Sequence, residues 1–463
     1  MKGLAWKQNL VVETAFPESG TDALIARARV NDSLQADNLP SRNLATFVTT
    51  GMDEEAHLLA LAGLQKNLVN SAEYPQTEQI HQAVIRAVGE LFHAPWAEEG
   101  LPAAGLTAVG SSEAVMLALI AHQTNWRAQS RARGLGRRPY VIVGTHSHVC
   151  FEKFARYFDV GVKFVPLERG QYSISAAQVE ALLDSRIADD VAVMDECGLE
   201  PETVGNRRFG ELVMAVACVV GTTYTGHCDD VEGIALMLGA RGWKIPIHVD
   251  AASGGFVLPF VDPNHKWDFR VDGVASINVS NHKYGLVYSG LATLIFRSKE
   301  IVDPSLWIDV PYLTGPIRSF GLNFTRPSSG VITQYYNLLR LGRAGYRRTM
   351  EACLSNAQSV ADELEAMRRP SDRSPYFEVI SNIVQLPIVT FRLAKSQPFS
   401  TLKTLSAQLG REGWVVPVYR LPTANDDDEV MRVVIRADFT AEDGAAFVRD
   451  VEKAVRYAPP GIA

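Results

Sequence analysis

The chain has 463 residues, of which 47% are hydrophobic and 21% are charged, so it can bury a large core and is not expected to be disordered. The formal net charge of −7 excludes a basic surface for nucleic acid, and we interpret the arginine-rich stretch at 131–138 as a solvated helix end. No segment approaches the length of a membrane span, and the amino-terminal apolar run is too short for a signal peptide.

We therefore expect a cytoplasmic protein that contacts neither a membrane nor nucleic acid. The five cysteines are odd in number and scattered along the chain, without the paired spacing of a zinc site or of a disulfide framework. We interpret them as reduced thiols, mostly in the core, and we expect no metal site.

The first 44 residues lack a sustained apolar period and contain Pro40, so we predict an N-terminal arm over 1–44 that packs on another surface. From 45 to 350, short apolar runs alternate with segments of helical length. The runs are YVIVG (140–144), AVACVVG (215–221), KIPIHVDA (244–251), GVASINVS (273–280) and LATLIFR (291–297). This pattern predicts parallel strands that helices cover on both faces, and hence a large α/β domain over 45–350.

Helical spacing of apolar residues predicts one long helix over 329–350, which leads out of the large domain. The remaining residues, 351–463, contain a predicted helix near 357–367 and predicted strands near 388–393 and 430–435. They indicate a small C-terminal α+β domain.

Lys283 follows the apolar run 273–280 and should lie at the carboxyl edge of the sheet, where α/β proteins bind their ligands. An amine with an ordinary pKa of about 10.4 must lose solvent to act as a nucleophile near neutrality. A lysine considered alone would more often lie on the surface.

Three further elements favour a cofactor site at this edge. Asp250 ends the run 244–251, where a carboxylate could pair with a protonated pyridine nitrogen. Ser111 and Ser112 begin a strongly helical stretch, and a helix N-terminus can bind a phosphate. His148 follows the run 140–144 and could lie over a flat ring. Each has an ordinary interpretation as an ion pair, a helix cap or a core histidine, but together they predict a pyridoxal 5′-phosphate (PLP) site.

Several longer motifs carry a family resemblance. They are SRNLATF, EYPQTEQIHQAV, VGSSEA, KFARYFDV, GTTYTG, IHVDAASGGF, SNHKYGLVY and MRVVIR. Through them the chain, from about 41 to about 457, resembles the glutamate decarboxylases among the group II PLP-dependent decarboxylases. The resemblance implies PLP-dependent transferase fold type I, with an aspartate aminotransferase-like large domain, a mostly parallel sheet and a small C-terminal α+β domain.

The resemblance also implies roles around the cofactor. Lys283 would carry PLP as a Schiff base, and Asp250 would pair with the ring nitrogen. The other implied cofactor ligands are Ser111, Ser112, Ser280 and His282 at the phosphate, His148 and Ala252 against the ring, and Thr223 near the ring hydroxyl.

Further residues are implied for catalysis and assembly. Tyr312, in DVPYLTG, resembles the tyrosine of a mobile catalytic loop, and it and His282 are candidate proton donors to the carbanion. Thr325 resembles a residue that reaches the phosphate of a neighbouring subunit, so a homodimer or a higher homo-oligomer is expected. Arg432 matches the arginine that receives the α-carboxylate of the substrate.

Thr46 and Phe47 match residues of a distal carboxylate pocket, which favours conversion of L-glutamate to 4-aminobutyrate and CO2. Three positions depart from the family pattern: His148 replaces a common glutamine, Asn281 a glycine, and Asn70 an aspartate beside the distal pocket. Three alternatives therefore stay open: another substrate such as aspartate, decarboxylation coupled to oxidative deamination to an aldehyde, and an inactive PLP-binding regulator. The terminal RYAPPGIA resembles neither an acid-gating tail nor a calmodulin target, so no calmodulin partner is expected.

Overall fold

The computed structural model describes residues 15–130, 138–312, 317–394, 401–423 and 429–456. Four predicted features therefore lie wholly or partly outside the described residues. They are the start of the arm (1–14), the basic stretch (131–137), part of the DVPYLTG loop (313–316) and the terminal tail (457–463).

A seven-stranded sheet forms the centre of the large domain, with the strand order β1-β7-β6-β5-β4-β2-β3. The strands are β1 (Gly105–Ala108), β2 (Tyr140–Gly144), β3 (Gly161–Val165), β4 (Val213–Val219), β5 (Ile247–Asp250), β6 (Val274–Val279) and β7 (Ala292–Phe296). Every residue of β2 and β4 is buried, because helices cover both faces of the sheet. The predicted α/β fold type and all five predicted strands are confirmed, with bounds that shift by up to three residues.

The orientation of one strand was predicted wrongly. Strands β2 to β6 pair in parallel, but β7 is antiparallel to both of its neighbours, β6 and β1. The chain between β6 and β7 contains no helix. Because a parallel return usually needs a helical crossover, this short connection makes β7 run back along β6.

Helices surround this sheet and continue into the C-terminal region. They are α1 (Ala23–Leu34), α2 (Glu54–Leu64), α3 (Pro75–Leu91), α4 (Pro95–Glu98), α5 (Ser111–Ser130), α6 (Cys150–Phe158), α7 (Ala176–Leu183), α8 (Val191–Cys197), α9 (Pro201–Val204), α10 (Val231–Ala240), α11 (Leu258–Val261), α12 (Ser329–Ala366), α13 (Leu402–Arg411) and α14 (Ala441–Arg456). No helix in the described ranges is both long enough and apolar enough to cross a membrane.

Helix α12 joins the two helices predicted near 329–350 and 357–367 into one element. Its only non-helical residue is Gly342, with φ 55° and ψ −175°, a conformation that glycine adopts without a steric penalty. The predicted domain limit at 350 falls inside this element. The two-domain division stays a prediction.

The C-terminal region has its own sheet, with the order β10-β11-β13-β12. These strands are β10 (Phe377–Val379), β11 (Ile388–Leu393), β12 (Val418–Arg420) and β13 (Glu429–Val434), and a separate hairpin pairs β8 (Ile308–Val310) with β9 (Ile317–Ser319). A hydrophobic core distinct from that of the large sheet includes Phe391 and Phe447, and it also takes in Leu44 from the end of the predicted arm. The small α+β fold matches the sequence prediction.

Helix α1, within the predicted arm, buries none of its residues against the rest of the chain. Its apolar side chains are exposed: Leu24 by 73%, Val30 by 58% and Leu34 by 58%. A helix with these exposed side chains is consistent with the prediction that the arm packs on another surface.

Asn281, which departs from the family pattern, anchors the β6–β7 connection to α12. The side chain is fully buried. Its Nδ2 donates to Gln334 Oε1 at 3.1 Å, and its Oδ1 accepts from Thr293 Oγ1 at 2.8 Å. Gln334 in turn donates to the hydroxyl of Tyr346 at 2.9 Å. The asparagine therefore fixes the connection that carries Lys283 to the long helix behind it.

Replacing Asn281 with alanine should lower the free energy of unfolding by about 1–3 kcal/mol, because Gln334 and Thr293 would each lose a buried partner. Chemical denaturation of the purified protein measures this difference. Asn264→Ala is the control, since Asn264 is exposed and its removal should change stability by no more than about 0.5 kcal/mol. Equal stability of the two variants would contradict the anchoring role.

Candidate active site

One cavity opens at the carboxyl edge of the large sheet, where β4, β5 and β6 end near the N-terminus of α5. Nine of the predicted residues line it: Ser111, Ser112, His148, Thr223, Asp250, Ala252, Ser280, His282 and Lys283. The topology explains their meeting, because the ends of adjacent parallel strands lie at the same edge of a sheet. Their assigned roles stay predictions.

The Lys283 amine lies inside this cavity. Its Nζ donates to Ser253 Oγ at 3.0 Å. Burial lowers the pKa of Lys283 to about 8; attraction to Asp250 opposes this shift, and repulsion from Arg432 adds to it. A substantial share of the amine is therefore neutral and nucleophilic near physiological pH.

Asp250 is the last residue of β5 and is 4% exposed. Its Oδ1 accepts hydrogen bonds from Asn278 Nδ2 at 2.8 Å and from the backbone N–H of Ala252 at 3.1 Å. No donor among the described residues bonds to Oδ2. The carboxylate thus has one oxygen fixed by the protein and one available to a cationic ring nitrogen, which fits pyridoxal phosphate.

The opposite end of the cavity suits a phosphate. Ser111 is the first residue of α5, a helix of 20 residues, and its Oγ lies 2.7 Å from Ser280 Oγ. His282 Nδ1 is buried and has no hydrogen-bond partner in the described part of the chain. Burial, together with the nearby Lys283 charge, lowers the pKa of His282 to about 4. Hydroxyls, a helix N-terminus and an unpaired imidazole nitrogen together form an anion site.

Arg432 approaches the cavity from β13 of the small sheet and is 7% exposed. Its terminal nitrogens donate to the backbone oxygens of Thr223 and Ala45, each at 2.6 Å. Its guanidinium carbon lies 4.8 Å from the centre of the Phe47 ring, and Lys283 Nζ lies 5.0 Å from the same centre. Both side chains therefore approach the Phe47 ring. Arg432 Nε is buried without a partner among the described residues, which leaves a donor for a carboxylate.

His148 lines the cavity, and its Nδ1 accepts a hydrogen bond from the backbone N–H of Cys150 at 3.2 Å. This contact assigns the remaining ring proton to Nε2. Thr46 has a local contact instead, because its Oγ1 accepts from the backbone N–H of Val48 at 3.1 Å. Thr46 does not line the cavity of its own chain.

Three predicted site residues lie outside the cavity on a neighbouring surface. Tyr312 is 76% exposed, with its ring centre 6.3 Å from that of Phe324, which precedes the exposed Thr325. The third is Asn70, whose Nδ2 donates to Glu73 Oε2 at 2.8 Å. Its segment adjoins that of Thr325, because the N–H of Leu68 donates to the oxygen of Arg326 at 2.9 Å. We call Asn70, Tyr312 and Thr325 the outer surface.

Two residues that contact Lys283 and Asp250 were not predicted from the sequence. Ser253 accepts from Lys283, and Asn278 donates to Asp250. The signal for Asn278 was present, because alternate residues of a strand share a face and Asn278 lies two residues before Ser280.

Comparisons with known proteins agree with this geometry. Residues 25–199 and 199–394 match the family model described as the pyridoxal-dependent decarboxylase conserved domain. The chain is 38% identical to a glutamate decarboxylase of Solanum lycopersicum over 429 residues, which is 92% of this chain and 78% of that protein. It is 38% identical to glutamate decarboxylase 1 of Arabidopsis thaliana over 446 residues, covering 95% of this chain and 82% of that protein.

A solved structure also resembles the whole chain. The glutamate decarboxylase of Lactobacillus brevis superimposes with a TM-score of 0.86 at 31% identity, covering 99% of this chain and 98% of that one. The likeness therefore extends over both sheets.

The lowered pKa of Lys283 predicts how fast the amine reacts with an aldehyde. Protonated amine is unreactive, so the rate at which apoprotein attaches PLP should rise about tenfold per pH unit well below the pKa. The rate should reach half its maximum near pH 8 and then level off. Stopped-flow absorbance measures it, with N-acetyl-lysine amide as the control amine. A rise that continues unbroken to about pH 10, as for that control, would contradict the assignment.

Proposed function

Because this chain belongs to the family of pyridoxal-dependent decarboxylases, we propose that it converts L-glutamate to 4-aminobutyrate and CO2 with pyridoxal 5′-phosphate as its cofactor. The α-carboxylate leaves as CO2, and a proton takes its place on Cα. The observation that carries the proposal is that Lys283 and Asp250 line one cavity, with Arg432 and Lys283 both near the Phe47 ring, in a chain similar to glutamate decarboxylases over nearly its whole length.

The residues of the cavity suit the cofactor by their chemistry. When bound, PLP supplies a cationic ring that accepts the electrons of the broken bond. Lys283 would be the neutral amine that holds it, and Asp250 would keep a proton on the ring nitrogen through its available oxygen. Ser111, Ser280 and His282 would hold the phosphate.

Arg432 would bind the α-carboxylate by charge-assisted hydrogen bonds. Its main contribution is orientation. Since the departing CO2 is neutral, tight carboxylate binding stabilises the starting state at least as much as the transition state. The rate gain comes from holding the bond between Cα and the carboxylate perpendicular to the ring.

Protonation of Cα needs a donor on the reacting face. His282 is neutral because burial lowers its pKa to about 4, so it could pass on only a ring N–H. Tyr312 lies on the outer surface of its own chain. We therefore assign this proton to Tyr312 of a second copy of the chain.

The same reasoning supports a homodimer. Asn70, Tyr312 and Thr325 are the predicted site residues that lie together outside their own cavity, and helix α1 has exposed apolar side chains such as Leu24 and Val30. A dimer that placed the outer surface of one copy beside the cavity of the other would bring all three to a site. A cytoplasmic location and the lack of a calmodulin partner stay predictions from the sequence.

Activity with purified protein and PLP tests the reaction directly. With a panel of amino acids, L-glutamate should be the preferred substrate, and mass spectrometry should show 4-aminobutyrate with one CO2 released per turnover. Peroxide and ammonia should stay at background. An aldehyde product, or preference for L-aspartate, would overturn the proposal.

Two substitutions test the proposed roles of Lys283 and Asp250. Lys283→Ala should abolish turnover, and Asp250→Asn should reduce kcat by roughly 10- to 1000-fold. The second figure follows because a carboxylate shifts the pKa of a neighbouring cation by about 1–3 units, or roughly 1.4–4 kcal/mol. Steady-state kinetics measure both effects. Near-normal kcat in Asp250→Asn would exclude Asp250 from the mechanism.

Mixed dimers test whether the outer surface of one copy contributes Tyr312 to the active site of the other copy. A heterodimer of one Lys283→Ala chain and one Tyr312→Phe chain should recover about half of the wild-type activity, because one site then receives both intact residues. Differently tagged chains allow its purification. The matched control pairs Lys283→Ala with Asp250→Asn, which share one cavity, and should recover little. If the first heterodimer stays as inactive as its parent homodimers, Tyr312 acts within its own chain.

A further inference from the structure

A buried row of polar side chains lies behind Asp250, between β5, β6 and α5. Residues two apart on a strand share a face, and the strand register pairs His248 with Ser276 and Asp250 with Asn278. All four side chains are at most 4% exposed. The row thus runs from the sheet interior to the cavity.

Hydrogen bonds connect most of the row. Ser276 Oγ lies 2.9 Å from His248 Nδ1 and 2.8 Å from Nε2 of His122, a buried residue of α5. At the other end, Asn278 Nδ2 donates to Asp250 Oδ1 at 2.8 Å. His248 Nε2 and Asn278 Oδ1 are buried, and neither has a hydrogen-bond partner among the described residues.

No hydrogen bond among the described residues joins the two halves of the row, between His248 and Asn278. Burial lowers the pKa of His248 to about 4. Burial, together with the nearby His248, lowers the pKa of His122 to about 3. Both imidazoles are therefore neutral, and each carries a single ring proton.

The orientation of the Asn278 amide follows from Asp250. An ionised carboxylate only accepts, so Asn278 must present its NH2 group to it. The amide oxygen is then left buried without a hydrogen-bond partner among the described residues.

We propose that Asn278 is a positioning residue, which holds Asp250 Oδ1 so that Oδ2 faces the ring nitrogen of PLP. The inference rests on the proposed function, because it assumes that Asp250 meets the cofactor. Asn278 does not line the cavity and touches no reacting atom.

The arrangement matters because an unsupported carboxylate could rotate. A free Asp250 side chain could present either oxygen, or turn towards the Lys283 amine, whose pKa it already influences. Two donors on Oδ1, Asn278 and the Ala252 backbone, remove that freedom. Such fixed geometry lets a charged group stabilise its partner without reorganising during the reaction.

Asn278→Ala tests the proposal through cofactor binding as well as turnover. Loss of a buried hydrogen bond to a charged group should weaken the affinity of apoprotein for PLP by about 10- to 100-fold. It should lower kcat with little change in KM, and move the pH midpoint of the visible absorbance of the bound cofactor. Asn278→Ser, which can still donate, should recover part of each loss and provides the measurement if the alanine variant folds poorly.

Ile277→Val is the matched control, because Ile277 is a fully buried neighbour on the same strand with its side chain on the opposite face. It should match the wild type within about twofold in PLP affinity and kcat. Asn278 variants that behave like this control, while Asp250→Asn loses activity, would overturn the inference and leave the proposed function intact. If Asp250→Asn is also unaffected, the assignment of Asp250 fails and the positioning role fails with it.

Discussion

The site depends on one electrostatic arrangement, a buried lysine amine near a buried carboxylate at the edge of a parallel sheet. Burial lowers the pKa of Lys283 to about 8, although attraction to Asp250 opposes the shift. In the proposed function, desolvation supplies the nucleophile, and the neighbouring strand β5 supplies the anion for the ring nitrogen of PLP. In water the amine would be protonated and the carboxylate would be solvated, so neither group would suit these roles.

The fold provides this arrangement through strand order and anchoring. The carboxyl ends of β4, β5 and β6 lie side by side, and α5 begins at the same edge. Arg432, the proposed ligand of the substrate carboxylate, comes from β13 of the second sheet. Asn281 ties the connection bearing Lys283 to α12. Asn281, which departs from the family pattern, thus has a structural role.

Much of this was predictable from the sequence, and the limits have physical causes. Uninterrupted apolar runs located β2, β4, β5, β6 and β7, because strands buried on both faces contain few polar residues. The predicted orientation of β7 was wrong, because a run of apolar residues does not show whether a strand is parallel or antiparallel to its neighbours. Ser253 and Asn278 were missed because they lie in or beside motifs whose other residues drew the interpretation. The position of Tyr312 outside its own cavity could not follow from one chain's sequence, which does not describe a neighbour.

The most direct test of the account is the site of covalent cofactor attachment. Protein purified with PLP should be reduced with sodium borohydride, digested and mapped by mass spectrometry. A pyridoxyl group on the peptide that contains Lys283, and its loss in Lys283→Ala, is the predicted result. A reduced protein that carries the group on another lysine, or on none, would contradict the central claim.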